Sequence, residues 1–221
     1  AIVLYGFGVM QETQNRNQKT AQIMYHAISE QQGQELYKQE EIAWVGEFFN
    51  AFSEQVNHST VNFTYANADM LKSQSMPYSG DLPASENEIV VQESFLDSLG
   101  YSNELGQTIQ IPFSDGTTHD FKLTGILDVK TGDIGRYTAI ISKELVRQQY
   151  GDEGMIDYYI GLKGAQNMSE EEATNYANTL AQQLKISDDN VIVRSTYFNL
   201  KDENHGSDMP VSYTHLTLPT T

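Results

Sequence analysis

The chain has no cysteine, which excludes disulfides, thiolate metal sites and cysteine nucleophiles together. That absence alone does not place the compartment. A secreted eukaryotic domain usually carries a disulfide or two, whereas bacterial domains outside the membrane often carry none. Basic residues are scarce too: thirteen Lys and Arg stand against thirty Asp and Glu, a formal net charge of −17. Nucleic-acid binding needs clustered Lys and Arg to neutralise phosphates, so nucleic acid is not an expected partner. The same balance opposes flat adsorption to anionic lipid. Hydrophobic residues make up 39% of 221 positions, enough for one sizeable domain or two small ones.

Catalytic signatures are also missing. The five histidines, His26, His58, His119, His205 and His215, contain no i,i+4 pair and no H-E-x-x-H. His119 lies beside Asp120 in a strand-like stretch, where neighbours point to opposite faces. There is no G-x-S-x-G elbow and no Walker lysine loop. The segment "DENHGSD" at 202–208 has oxygen ligands but places Gly206 where a calcium loop needs Asp or Asn, and it reads as a linker. Paired carboxylates are too common in so acidic a chain to mark a glycosidase. Sequons at Asn57, Asn62 and Asn167 matter only in a eukaryotic secretory pathway. No catalytic residue, cofactor or metal is expected. The residues point to a binding or coupling module.

Against this background the opening "AIVLYGFGVM" is conspicuous, because residues 1–10 are apolar apart from two glycines. As a dinucleotide loop it fails, since Gln11 stands where the third glycine belongs. As a secretory signal it lacks a start Met, a basic n-region and a small-residue cleavage site. Two readings stay open: a buried N-terminal strand, or the outer end of a transmembrane helix. Ten helical residues would span about 15 Å, half a hydrocarbon core. Residues 11–40 contain no proline and one glycine, Gly33, and put Ala21, Met24, Ile28 and Leu36 on one helical stripe. They predict a long polar stalk helix with a bend at Gly33. An amphipathic surface helix is the plainer alternative.

The rest of the chain alternates strands and helices. Strands are predicted at 41–48, with Ile42 and Trp44 on one face, and at 61–65, with Val61, Phe63 and Tyr65 inward. Residues 76–88 read as a loop, 89–91 as a short strand and 93–100 as a helix closed by Gly100. Ile109, Ile111 and Phe113 share one strand face; the Asp115-Gly116 turn returns the chain into a strand carrying Phe121, Leu123 and Leu127. A strand at 137–141 and a helix from Ser142 to Gly151 follow. The clearest helix is 169–185, with apolar positions at helical spacing and a Ser169/Glu172 capping box. Strands at 157–164 and 190–196 flank it, giving half of a βαβ or ferredoxin-like unit.

Residues 76–128 carry a family pattern. Gly80, Leu82 and Pro83 are followed by Glu88, Ile89 and Val90; Leu99-Gly100 ends a helix; Leu105-Gly106 opens a strand; Thr124, Gly125 and Ile126 close a later one. In this order and spacing the stretch resembles the extracytoplasmic domain of MacB/FtsX-type ABC transporter permeases. The resemblance implies a membrane-anchored bacterial protein with this domain on the extracytoplasmic face, between the first and second of four transmembrane helices. It implies a separate cytoplasmic ATP-binding subunit, a second permease unit and an extracellular substrate or protein partner. The family's ATPase motifs are not on this chain, so the resemblance implies no catalytic residues here. Gly80, Pro83, Glu88, Ile89, Leu99, Gly100, Leu105, Gly106 and Gly125 are its architectural positions.

The expected fold is α+β and two-lobed. Residues 1–10 would be the outer end of a truncated first transmembrane helix, attaching the chain to the membrane, and 11–40 the stalk helix. Residues 41–85 and 151–200 would form a porter-like α+β lobe, and 86–150 an inserted β-rich lobe. Residues 201–221 would be a linker and tail, whose "PVSYTHLTLPTT" resembles translated adaptor sequence more than native protein. The functional expectation is coupling of ATP-driven transmembrane motion to export, release or sensing outside the cell. The competing expectations are a secreted or membrane-tethered binding protein and, less favoured, an extracellular hydrolase.

Overall fold

A computed structural model of the chain describes residues 20–129, 136–151 and 156–199. Ten strands form one mixed sheet in the order β10-β1-β9-β2-β3-β8-β5-β7-β4, with β6 on the free half of β7. The first lobe comprises β1 (Ile23–Ile28), α1 (Glu30–Leu36), the first half of β2 (Ile42–Val56), β9 (Ile156–Leu162), α5 (Glu170–Leu184) and β10 (Val191–Val193). Its four strands lie in the order β10-β1-β9-β2 with every neighbouring pair antiparallel. This is the doubly split βαβ arrangement of a ferredoxin-like unit, whose last helix-flanking half was readable in the sequence.

Between β2 and β9 the chain builds the second lobe. It contains β3 (Ser59–Ala66), α2 (Ala68–Ser73), β4 (Tyr78–Gly80), β5 (Glu88–Gln92), α3 (Glu93–Leu99), β6 (Thr108–Pro112), β7 (Thr118–Leu127), β8 (Arg136–Ile141) and α4 (Lys143–Tyr150). The lobes share β2. Its first half pairs with β9 and its second half with β3, and the two pairings overlap at Phe48, which faces Asp157 on one side and Ala66 on the other.

Each lobe has its own core. In the first, α5 lays Ala173, Ala177, Leu180 and Ala181 on Ile23, Tyr25, Tyr158 and Ile160. The alanines let the helix approach closely enough for the buried Tyr25 hydroxyl to donate to the Ala177 carbonyl at 3.0 Å. Ser169 and Glu172 form the predicted capping box. In the second lobe Val61, Phe63, Ile89, Val91, Leu123 and Ile141 pack under α3 and α4. Alternate residues Val90 and Ile140 point to the opposite face, where they meet Met70 and Leu71 of α2.

Several expectations are corrected. The stalk helix over 11–40 does not exist across its described part: residues 23–28 are strand β1 and only Glu30–Leu36 is helical. Ile23 and Tyr25 alternate with Met24 toward opposite faces, and hydrogen bonding to β9 and β10 on both sides selects the strand over the helical stripe. The inserted lobe begins inside β2, not at 86, because β3 pairs with β8 and β4 with β7. Residues 76–88 are a loop except for the three-residue β4 and for Glu88, which opens β5. A bulge between Ile42 and Trp44 separates the two: Ile42 joins the core, whereas Trp44 lies over Gly161. The last strand stops at Val193, and 195–199 are helical. Among the described residues no helix is long and apolar enough to cross a membrane. The expectations for 1–10, 11–19 and 201–221 lie outside the described residues.

Gly33 is not a bend. It sits inside α1 against the ring of Tyr158, and a Cβ there would lie 2.0 Å from the ring's Cζ. In an ordinary helix Gly→Ala is stabilising by about 1 kcal/mol. Gly33→Ala is expected to reverse that sign and destabilise the chain by about 2 kcal/mol, because Tyr158 must leave its site. Urea unfolding followed by far-UV circular dichroism measures it.

Candidate functional site

The nine motif positions mostly gather around β7. Gly80 and Gly125 are paired across β4 and β7, and each makes room for the other strand's backbone. A Cβ on Gly80 would lie 2.3 Å from the Thr124 carbonyl, and one on Gly125 would lie 2.6 Å from that of Ser79. Gly80 also has a φ of +82°, which favours glycine on its own account. Leu105 reaches over Gly80, and the Gly106 N–H donates to the Leu123 carbonyl at 2.7 Å. Glu88 faces Lys122 in the β5–β7 register and accepts from the N–H groups of Ala84 and Ser85 at 2.9 and 3.2 Å, fixing the turn after Pro83. The Ala84 N–H above all, with Ser85 and Lys122, outweighs burial and holds the Glu88 carboxyl below its usual range. Ile89 is fully buried between β7 and β8. Leu99 and Gly100 stand apart, closing α3. Gly80, Gly100, Gly106, Gly125 and Glu88 thus shape the backbone, and Ile89 belongs to the core.

The chemistry that stands out lies elsewhere, at the junction of the lobes. Glu47 points inward from β2, one residue before the overlap at Phe48, and is 4% exposed. Its carboxylate accepts from the Tyr37 hydroxyl at 2.7 Å and from the Tyr65 hydroxyl at 2.6 Å. Lys143 of α4 places its ammonium 2.8 Å from the same carboxylate and 3.3 Å from that of Glu30 on α1. Arg147, one turn further along α4, grips Glu30 through Nε at 3.1 Å and through a second guanidinium nitrogen. Asn67 locks the corner: its Oδ1 accepts from the Glu47 N–H at 3.0 Å and the Met70 N–H at 2.9 Å, and its amide donates to the Val45 carbonyl at 2.9 Å. Tyr37 and Glu30 come from the first lobe, Tyr65, Lys143 and Arg147 from the second, and Glu47 from the shared strand.

Burial first, then the Glu47 charge, pushes the Tyr37 and Tyr65 phenols well above their ordinary values, so both remain protonated donors. Burial acts upward on Glu30 as well, but Arg147 and Lys143 together outweigh it and hold that carboxyl below the usual range. The cluster can clamp α1 to α4 through charge. Among the described residues no three His, Asp or Glu side chains gather as a metal site.

Sequence reading missed this cluster. Two signals were present: a lone acid at an inward position in "WVGEF", and Lys143 and Arg147 at i,i+4 in a chain poor in bases. Removing the cation leaves a buried charge unanswered, a change that costs about 3 kcal/mol or more. Lys143→Met is therefore expected to lower the unfolding free energy by about 3 kcal/mol, read from urea denaturation at neutral pH. Because Glu30 titrates lower in the folded chain than unfolded, its stabilisation is complete above an unfolded value of about 4.3 and drains away as pH falls through the folded one. Between pH 5 and about pH 3 the wild type should lose more stability than Glu30→Gln, measured by thermal melts across that range.

No protein-family model matches the chain, and neither does any curated protein sequence. Solved structures do match. The periplasmic region of MacB from Actinobacillus actinomycetemcomitans superposes with a TM-score of 0.54 and 12% identity, over 87% of this chain and 92% of its own. The extracellular domain of the ABC-type transporter YknZ from Gram-positive bacteria gives 0.54 and 11%, over 79% and 98%. A domain from a Porphyromonas gingivalis protein described as a permease gives 0.51 and 10%, over 76% and 79%. At these identities the likeness is one of fold. The described chain has the α+β fold of the MacB-type periplasmic and extracellular domains of ABC transporter permeases.

Proposed function

We propose that this chain is the extracytoplasmic domain of a bacterial ABC transporter permease, held at the cell membrane with the domain outside. In this reading it couples ATP-driven motion of transmembrane helices to export, release or sensing of a substrate or partner. ATP hydrolysis would belong to a cytoplasmic subunit, with a second permease unit completing the assembly and residues 1–10 contributing to the membrane part. Gly80, Pro83, Glu88, Ile89, Leu99, Gly100, Leu105, Gly106 and Gly125 would serve as the scaffold that keeps the second lobe rigid.

The observation that carries the proposal, beyond the shared fold, is that the first and last described strands lie side by side. Ile23 pairs with Val193, and the Arg194 N–H donates to the Gln22 carbonyl at 2.8 Å. A domain hung between two consecutive membrane helices needs its two connections side by side. Movement of one helix against the other would then act on β1 and β10. From β1 it passes to β9, to β2 and across the Glu30–Lys143–Glu47 clamp to the second lobe.

Two measurements test this. The surrounding gene should encode further transmembrane helices beside an ATPase gene; a signal peptide and a stop codon close to the domain would instead favour a secreted binding protein. In the permease reconstituted with its ATPase, Met24→Cys with Ile192→Cys, cross-linked across the β1–β10 pair so that the two connections cannot part, should retain ATP binding and lose ATP-driven turnover of substrate. Unchanged turnover in the tied protein would overturn the coupling role.

A further inference from the structure

The outer face of the sheet carries a cleft of about 230 Å³ where α2 and the chain following it overhang β2, β3 and β8. In a chain with a net charge of −17, no charged side chain among the described residues lines it. Phe48, Met70, Met76 and Ile140 supply its apolar surface. Asn50, Asn62, Gln74 and Thr138 supply polar groups at its edge.

The polar groups are oriented in a particular way. The Asn62 side-chain oxygen already accepts from the Ser53 hydroxyl at 2.7 Å, and that of Asn50 from the Thr64 hydroxyl at 3.4 Å. One lone pair of each amide oxygen is thereby engaged. Their NH₂ ends have no partner among the described residues and are available as donors at the edge of the cleft. The overhang is itself fixed. Asn67 caps α2, the Met76 N–H donates to the Leu71 carbonyl at 2.9 Å, and Ser75 takes a left-handed φ of 55° to bring Met76 back over the opening. Two methionines in the wall give the surface the pliability to follow different apolar shapes.

We infer that this cleft binds an uncharged, apolar ligand through its carbonyl oxygens: an apolar body against Phe48, Met70 and Met76, and carbonyls accepting from the Asn50 and Asn62 amides. A full charge placed against Phe48, Met70 and Met76 would lose its water and find no counter-charge among the described residues, so charged analogues are disfavoured. The volume is below that of a complete drug-sized site, and it takes one apolar group with its flanking carbonyls. The inference does not rest on the transport reading: binding would stand without any ATPase partner, and its failure would leave the coupling role intact.

The test is a titration of the isotopically labelled 221-residue chain with N-acetyl-leucine methylamide, followed by amide NMR shifts. Saturable shifts are expected at Asn50, Asn62, Thr64 and Thr138. The lysine and aspartate analogues should bind about tenfold more weakly or worse. Asn62→Asp puts a charge in the cleft while Ser53 keeps an acceptor for its hydroxyl, and it too should weaken the neutral probe about tenfold. Should that variant fail to fold, Gln74→Glu on the exposed end of α2 makes the same change. Absence of shifts at these four residues, equal binding of charged and neutral probes, or undiminished affinity in a folded charge-bearing variant would each overturn the inference.

Discussion

A carboxylate folded into a β-sheet must be answered by donors and by positive charge, or the strand that carries it cannot be buried. Glu47 imposes that demand on this protein at the point where its two lobes meet. The partners it collects come from both sides: Tyr37 from the end of α1, Tyr65 from β3 and Lys143 from α4. Lys143 then brings Glu30, and Glu30 brings Arg147. One buried acid thus sets the orientation of α1 and α4 across a boundary that the apolar cores do not bridge so specifically. Hydrophobic packing alone is non-directional. The charged cluster supplies the direction.

β2 makes the demand structural as well as electrostatic. At fifteen residues it is the longest strand, and it belongs to both lobes. A bulge between Asn50 and Phe52 bends its second half as it leaves the first lobe. Beyond it, β7 is the organising strand of the second lobe, flanked by β5 on one side and by β4 and β6 in succession on the other. The glycines and Glu88 of the sequence pattern serve these junctions. Gly80 and Gly125 let β4 lie close, Gly106 turns the chain into β6, and Glu88 ties down the loop before β5.

Much of this was legible because it is local. The α5 capping box, the Asp115-Gly116 turn and the left-handed Gly100 are decided by residues within a few positions of one another. β1 was not, because Ala21, Met24 and Ile28 satisfy a helical period while Ile23 and Tyr25 satisfy a strand period. The decision is made by β9 and β10, far along the chain. Gly33 looked like a flexible point because nothing nearby reveals that Tyr158 will occupy the space of its missing side chain. The clamp was hidden for the same reason: Glu30, Glu47 and Lys143 are unremarkable singly and acquire meaning only when the sheet closes.

The pairing of β1 with β10 has a mechanical consequence. The strands are antiparallel, with the start of one beside the end of the other, joined over only three residue pairs. A tension separating the two connections loads those hydrogen bonds one after another, as in unzipping, and not all at once as in shear. Unzipping yields at far lower force. β10 is therefore the first part of the sheet to peel, while β1, held on its other side by β9, stays seated. Load on the exit side reaches β10 through Tyr197 and Phe198, both buried in the first core, so the edge gives only once those two rings are drawn out.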